Sequence, residues 1–170
     1  MHPMRVVGVR VELPGNQPVV LLREADGARY LPIWIGAVEA SAIAFQQQGV
    51  QTVRPLTHDL LKDVIDALGV SVEAVHITEM RDDIYYAELR FSNGATVSAR
   101  PSDAIALALR TGTPIMGADA VLEVAGVEIP EELAEGEDGA TGQEGTELSD
   151  EEVERFREFL DNISPEDFDS

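Results

Sequence analysis

The segments Gly36-Ala37-Val38-Glu39-Ala40-Ser41-Ala42-Ile43-Ala44-Phe45 and Arg100-Pro101-Ser102-Asp103-Ala104-Ile105-Ala106-Leu107-Ala108-Leu109 are two versions of one pattern. Each follows an apolar extended run, places one carboxylate ahead of an Ala-rich apolar helix, and leads into a glycine, Gly49 or Gly112. The residues upstream match too. Positions 6–13, 19–24 and 30–35 read as three strands, and so do 70–77, 84–91 and 95–99. The pattern predicts an α+β fold of duplicated βββα units, with mainly antiparallel sheets packed around Ala-rich buried helices.

The strands are read from period and punctuation. Val7, Val9, Val11 and Leu13 alternate with Gly8, Arg10 and Glu12, as in a half-buried strand, and Pro14-Gly15-Asn16 turns the chain. Asp26-Gly27 and Ser92-Asn93-Gly94 punctuate the two halves in the same way. Tyr85, Ala87, Leu89 and Phe91 share one face while Glu88 and Arg90 share the other, which is the pattern of an antiparallel meander. The repeated helices are apolar nearly all round and so are expected between layers. By contrast, Leu56, Leu60, Leu61, Val64, Ile65 and Leu68 form a stripe with Asp59, Lys62, Asp63 and Asp66 outside it. Positions 57–68 therefore read as a surface helix, with Thr57 at its N-cap.

A chain of 170 residues with 44% hydrophobic content can bury one good core. No run suits a bilayer, and Met1-His2-Pro3 lacks the basic and apolar regions of a signal peptide, so a cytoplasmic protein with no membrane partner is expected. With no cysteine, thiol nucleophiles, disulfides and cysteine zinc sites are excluded.

Charge divides the chain. Residues 1–129 carry ten Lys/Arg and sixteen Asp/Glu, net −6, whereas residues 130–170 carry two and sixteen, net −14, together the full −20. The expected organisation is a domain over 1–130, an acidic Gly-rich mobile linker over 131–148, and an acidic amphipathic helix and tail over 149–170. Gly136, Gly139, Gly142 and Gly145 punctuate the linker. Beyond it Ser149-Asp150-Glu151-Glu152 is a capping box, and Val153, Phe156, Phe159, Leu160 and Ile163 recur at helical spacing. This helix is expected to dock on its own domain, on a sister subunit, or on a separate protein partner.

Few residues are candidates for chemistry. His2 is terminal and His76 lies within a strand, while His58 stands at a helix start beside Asp59, either as a general base or as an exposed first-turn residue. No H-E-x-x-H, Walker loop, G-x-S-x-G or G-x-G-x-x-G occurs. What stands out is a pair of similar segments, Arg54-Pro55-Leu56-Thr57-His58-Asp59 and Arg100-Pro101-Ser102-Asp103. Each offers an Arg before a Pro, a hydroxyl and a carboxylate at a helix N-terminus, where free amide N–H groups and the helix dipole favour anions. Capping by Thr57 and Ser102, worth about 1 kcal/mol each, accounts for the hydroxyls and carboxylates as well as chemistry does. It does not account for Arg preceding Pro twice.

Three blocks carry a family resemblance: Tyr30-Leu31-Pro32-Ile33-Trp34-Ile35-Gly36 with Glu39-Ala40, then Arg54-Pro55-Leu56-Thr57-His58-Asp59-Leu60, then Ser98-Ala99-Arg100-Pro101-Ser102-Asp103-Ala104 with Pro114-Ile115. Over residues 5–129 the chain resembles the bifunctional nuclease domain family, formerly a domain of unknown function. Its tail is similar to that of actinobacterial members. The resemblance implies an α+β fold and hydrolysis of phosphodiester bonds in RNA, DNA or both. Carried over by position, it points to Glu39, His58, Asp59 and Asp103 as catalytic candidates and to Arg54, Thr57, Arg100 and Ser102 as phosphate-binding candidates. A divalent metal such as Mg on Glu39, Asp59 or Asp103 would both activate water and stabilise charge.

The acidic balance argues against tight binding of duplex unless arginines cluster. The rival reading is a non-enzymatic regulatory or scaffold module that binds a protein partner or a small anionic ligand. Antiparallel edges favour a homo-oligomer, with a dimer as the first expectation.

Overall fold

A computed structural model describes residues 1–12 and 15–128. The expected linker, the C-terminal helix and the Pro14 side of the first turn lie outside the described residues.

The alternating residues of the first half form β1 (His2–Glu12), β2 (Gln17–Glu24) and β3 (Arg29–Trp34), followed by α1 (Ala37–Gln47) and α2 (Thr57–Ala67). The second half repeats the order with β4 (Val72–Arg81), β5 (Ile84–Phe91), β6 (Thr96–Ala99) and α3 (Pro101–Thr111). Three short elements complete the described residues: β7 (Ile115–Gly117), α4 (Asp119–Ala125) and β8 (Val127–Glu128). The eight strands lie in the order β6-β5-β4-β7-β1-β2-β3-β8. Strand β7 runs antiparallel to β1 and parallel to β4, so β1 and β4 point in opposite directions. The two βββα units are therefore related by an approximate two-fold axis near β7, and that strand joins their meanders into one sheet.

Register places the apolar residues on one face. Val9 pairs with Val20 and Val20 with Ile33; across the axis Val75 pairs with Ile115 and Leu89, and Ile77 with Ala87. Helix α3 lies on this face. Ala104, Ile105, Ala106, Leu107 and Ala108 are all buried, and the alanines allow close approach to the neighbouring helices. Full burial of one Leu or Ile stabilises by about 1.5–3 kcal/mol, so Ile105 and Leu107, with Leu22, Leu31 and Ile77, anchor the core. Helix α1 buries Ala40, Ala42 and Ile43 and leaves Val38 exposed. Helix α2 buries only His58 and Ile65, while Leu60, Leu61, Val64 and Leu68 face outward.

The sheet curls. Tyr85 Oη donates to the Pro32 carbonyl at 3.0 Å, although β5 and β3 are separated by four strands in the sheet order. This closes the helix-bearing face around α3 and draws the end of β3 towards the β4–β5 hairpin. That hairpin turns through Asp82 and Asp83, at φ 50° and 61°, the left-handed pair that a two-residue connection from Arg81 to Ile84 needs. Gly112, at φ 67°, ends α3.

Two caps differ from expectation. Leu56, in extended conformation, is the N-cap of α2, and Thr57 is the first helical residue. The capping is done from within the helix, where Asp59 Oδ2 accepts from the Leu56 N–H at 2.9 Å and so satisfies the amide just outside the first turn. In α3 the N-cap is Arg100, because Pro101 takes the first helical position, where its missing N–H costs nothing. Ser102 falls two residues too late to cap.

Candidate functional site

The two-fold relation brings the N-termini of α1 and α3 together. Gly36 and Arg100 are the respective N-caps, so Glu39 and Asp103 occupy the same position in the two helices. A single side chain joins them. Arg100 Nε donates to Asp103 Oδ2 at 2.7 Å, and Arg100 Nη2 donates to Glu39 Oε1 at 2.7 Å. On the far side of Asp103, His58 Nε2 lies 3.0 Å from Oδ1, which ties the start of α2 to the start of α3. His58 is buried, so its reading as an exposed first-turn residue is wrong; the approach of α2 to α3 covers it.

Burial works to raise the Asp103 pKa, but hydrogen bonds from Arg100 and His58 prevail and hold it below its ordinary value. Asp103, and then Glu39, push the Arg100 guanidinium further above its own. The site is thus a fixed cation between two carboxylates, with His58 positioning one of them. Glu39 folds back over Gly36, where an added Cβ would stand 2.3 Å from Oε2. Gly36→Ala is accordingly expected to swing the Glu39 carboxylate away and free the Arg100 Nη2. A crystal structure of the variant should show the turned carboxylate, and NMR should show faster exchange at the Arg100 guanidinium.

A second pair sits at the other end of α3. Arg110, with only 4% of its side chain exposed, donates from Nε to Asp59 Oδ1, from Nη1 to the Ala106 carbonyl at 2.9 Å and from Nη2 to the Ala42 carbonyl at 3.1 Å. Asp59 is thereby committed to holding α2 against α3 and α1. Burial acts to raise its pKa, yet the Arg110 and Leu56 donors leave it lowered from 3.8. Sequence reading missed Arg110, though a lone cation in an otherwise apolar helix is a usable signal of a buried pair.

Beside Arg100 opens a cleft of about 440 Å³ lined by Trp34, Gly36, Tyr85, Arg100 and Ser102 among others. Neither α1 nor α3 has a side-chain cap, so no side chain accepts from their first amide N–H groups. Arg54 and Thr57 lie on the exposed approach to α2 and do not line this cleft. Among the described residues no group of three or more His, Asp or Glu is arranged to hold a metal ion. Glu39 and Asp103 are not free to share an ion as they stand, because Arg100 lies between them and pairs with both.

This α+β domain, with paired helix ends around one arginine, matches the bifunctional nuclease domain over residues 20–130. The chain belongs to that family. An uncharacterized protein of Mycobacterium tuberculosis is 55% identical over 168 residues, covering 99% of this chain and 98% of its own length. Bifunctional nuclease 2 of Oryza sativa is 32% identical over 106 residues, 58% of this chain and 33% of the plant protein. Bifunctional nuclease 1 of Arabidopsis thaliana is 30% identical over 105 residues, 58% and 32% of the two chains. The match thus spans about a third of each plant protein. No helix among the described residues is long and apolar enough to cross a membrane.

Proposed function

We propose that the chain hydrolyses phosphodiester bonds of RNA or DNA at the cleft where α1 and α3 begin. One observation carries this reading: a guanidinium pinned by carboxylates from two helices borders a cleft into which two uncapped helix ends point. Arg100 and the free amides oppose the charge that grows on the phosphorane oxygens, which is where preorganised donors contribute most. Glu39, with Oε1 on Arg100, is the group assigned to take a proton from water through Oε2. Asp103 and His58 position Arg100, and Asp59 serves the scaffold through Arg110. Arg54 and Thr57, on the rim, are assigned to phosphates further along the strand.

The test is cleavage of labelled RNA and DNA by the full chain, in Mg²⁺ and in EDTA, alongside Arg100→Ala and Glu39→Gln. Loss of cutting in both variants while they remain folded supports the assignment. Undiminished cutting in both refutes it, and the EDTA arm decides whether a divalent metal takes part.

A second reading is favoured by α2, whose Leu60, Leu61, Val64 and Leu68 are 54%, 39%, 46% and 74% exposed. A contiguous apolar stripe of this kind marks an association surface. On this reading the domain is a module that self-associates or binds a protein through α2. Leu60→Lys with Val64→Glu is expected to lower the sedimentation coefficient of any oligomer without lowering thermal stability, because these side chains bury little in the monomer. An unchanged mass would rule out α2 as the contact.

A further inference from the structure

Building on the hydrolytic reading, we infer that the cleft takes single-stranded nucleic acid, one base lying on Trp34 and the adjoining phosphate held by Ser102 and the two helix ends.

Ser102 is the first reason. It is 6% exposed and lines the cleft, and its hydroxyl makes no hydrogen bond to another described residue. A hydroxyl at the cleft wall that no protein acceptor holds is free to donate to an incoming one. The acceptor it faces must also satisfy the neighbouring donors. Pro101 has no N–H, so these are the Ser102 and Asp103 amides of α3 and the Ala37, Val38 and Glu39 amides of α1, none of them met by a side-chain cap. Arg100 adds Nη1, which neither Glu39 nor Asp103 takes up. An anionic oxygen is the one group that suits all of them.

Trp34 is the second reason. Its side chain, 47% exposed, lines this cleft and also a neighbouring groove of about 400 Å³ bounded by Arg10, Val11, Val19 and Pro32. The indole therefore stands as a partition between two depressions, each with an arginine on its wall. A duplex hides its base faces in the stack, whereas an unpaired base can lie flat on an aromatic side chain with its phosphates falling to either side.

Charge is the third reason. Arg100, Glu39 and Asp103 together sum to one negative charge, and residues 1–129 to −6, so long-range attraction for the dense charge of duplex is missing. Short-range donors and stacking remain, and they favour a flexible single strand.

Trp34 is the only tryptophan of the chain, so its fluorescence reports directly on the assigned base position. Full-length protein is titrated with a short oligothymidylate, with the corresponding oligouridylate, and with a blunt duplex of equal length. Saturable quenching by the single strands, and none by the duplex, is expected. The logarithmic salt dependence should be shallow, with a slope of about −0.7 for one phosphate contact. Ser102→Ala should weaken binding about ten-fold. Trp34→Leu, followed by the anisotropy of a labelled strand, should weaken it by about ten-fold or more, and Trp34→Phe should restore most of the loss. Equal affinity for duplex and single strand overturns the inference, as does unchanged affinity in both Ser102→Ala and Trp34→Leu.

Cleavage measured on the same samples separates this inference from the hydrolytic reading. Single-strand binding without cutting, with or without Mg²⁺, leaves the binding site and removes the hydrolysis. Cutting that ignores strandedness and both substitutions does the reverse. Neither binding nor cutting removes both.

Discussion

Arg100→Ala is expected, on the proposed hydrolytic reading, to lower the rate of phosphodiester cleavage by about 10²–10³ while leaving the fold intact. The rate falls because the guanidinium is the only cation held at the meeting of the two helix ends among the described residues, and donors aimed at a developing oxyanion are worth that much when lost. The fold persists because the Arg100 side chain is 66% exposed and surface pairs contribute about 0–1 kcal/mol. Arg100→Lys separates charge from geometry. A lysine reaches one carboxylate as a point charge but cannot donate side by side to two, so partial rescue at best is expected. Asp103→Asn should fall between the two, since Asn keeps an acceptor for His58 or Arg100 and loses the charge that fixes both. Wild-type rates in Asp103→Asn would exclude a catalytic role for that carboxylate.

Arg110→Met should cost about 3 kcal/mol of folding stability, near the lower end for breaking a buried pair because Asp59 keeps 32% exposure. The methionine fills most of the volume but leaves the Asp59 carboxylate and the Ala42 carbonyl without their donor. The loss should also depend on pH. Asp59 has a folded pKa below its ordinary 3.8, so its pairing stabilises the fold above that value and is lost as pH falls through the lower folded value. Above about pH 5 the difference between wild type and Arg110→Met should be constant, and it should shrink on further acidification. Denaturant midpoints measured across this range are the check. A difference that instead widens in acid would mean that Asp59 is not the partner that matters.

Strand content and duplication were legible because they rest on period. The second-half strand expected over 84–91 is β5 to the residue, and the repeated helices follow β3 and β6 as their flanking sequences imply. What joins the units was not legible. Strand β7 has three residues, too few to show a period, and its role comes from where β1 and β4 leave room for it. The α2 stripe was plain as a pattern, but sequence cannot say that its leucines stay uncovered, because that depends on how α2 lands on α3. Site residues were legible in kind and less so in grouping. Glu39, His58, Arg100 and Asp103 come together, yet Asp59 departs to Arg110, and Trp34 and Tyr85 join the cleft only because the sheet curls.

The approximate two-fold axis has a consequence for descent. Gly36 and Arg100 are equivalent positions, and the helix ends meet closely enough that one guanidinium spans both carboxylates. An ancestor assembled from two identical βββα chains would have carried either two arginines there, crowded and mutually repelling, or two glycines and no cation. Within a single chain the two positions are free to differ, and here one carries the charge while the other is a glycine that leaves room for it. The site is therefore asymmetric, one per chain, and neither half can hold it alone.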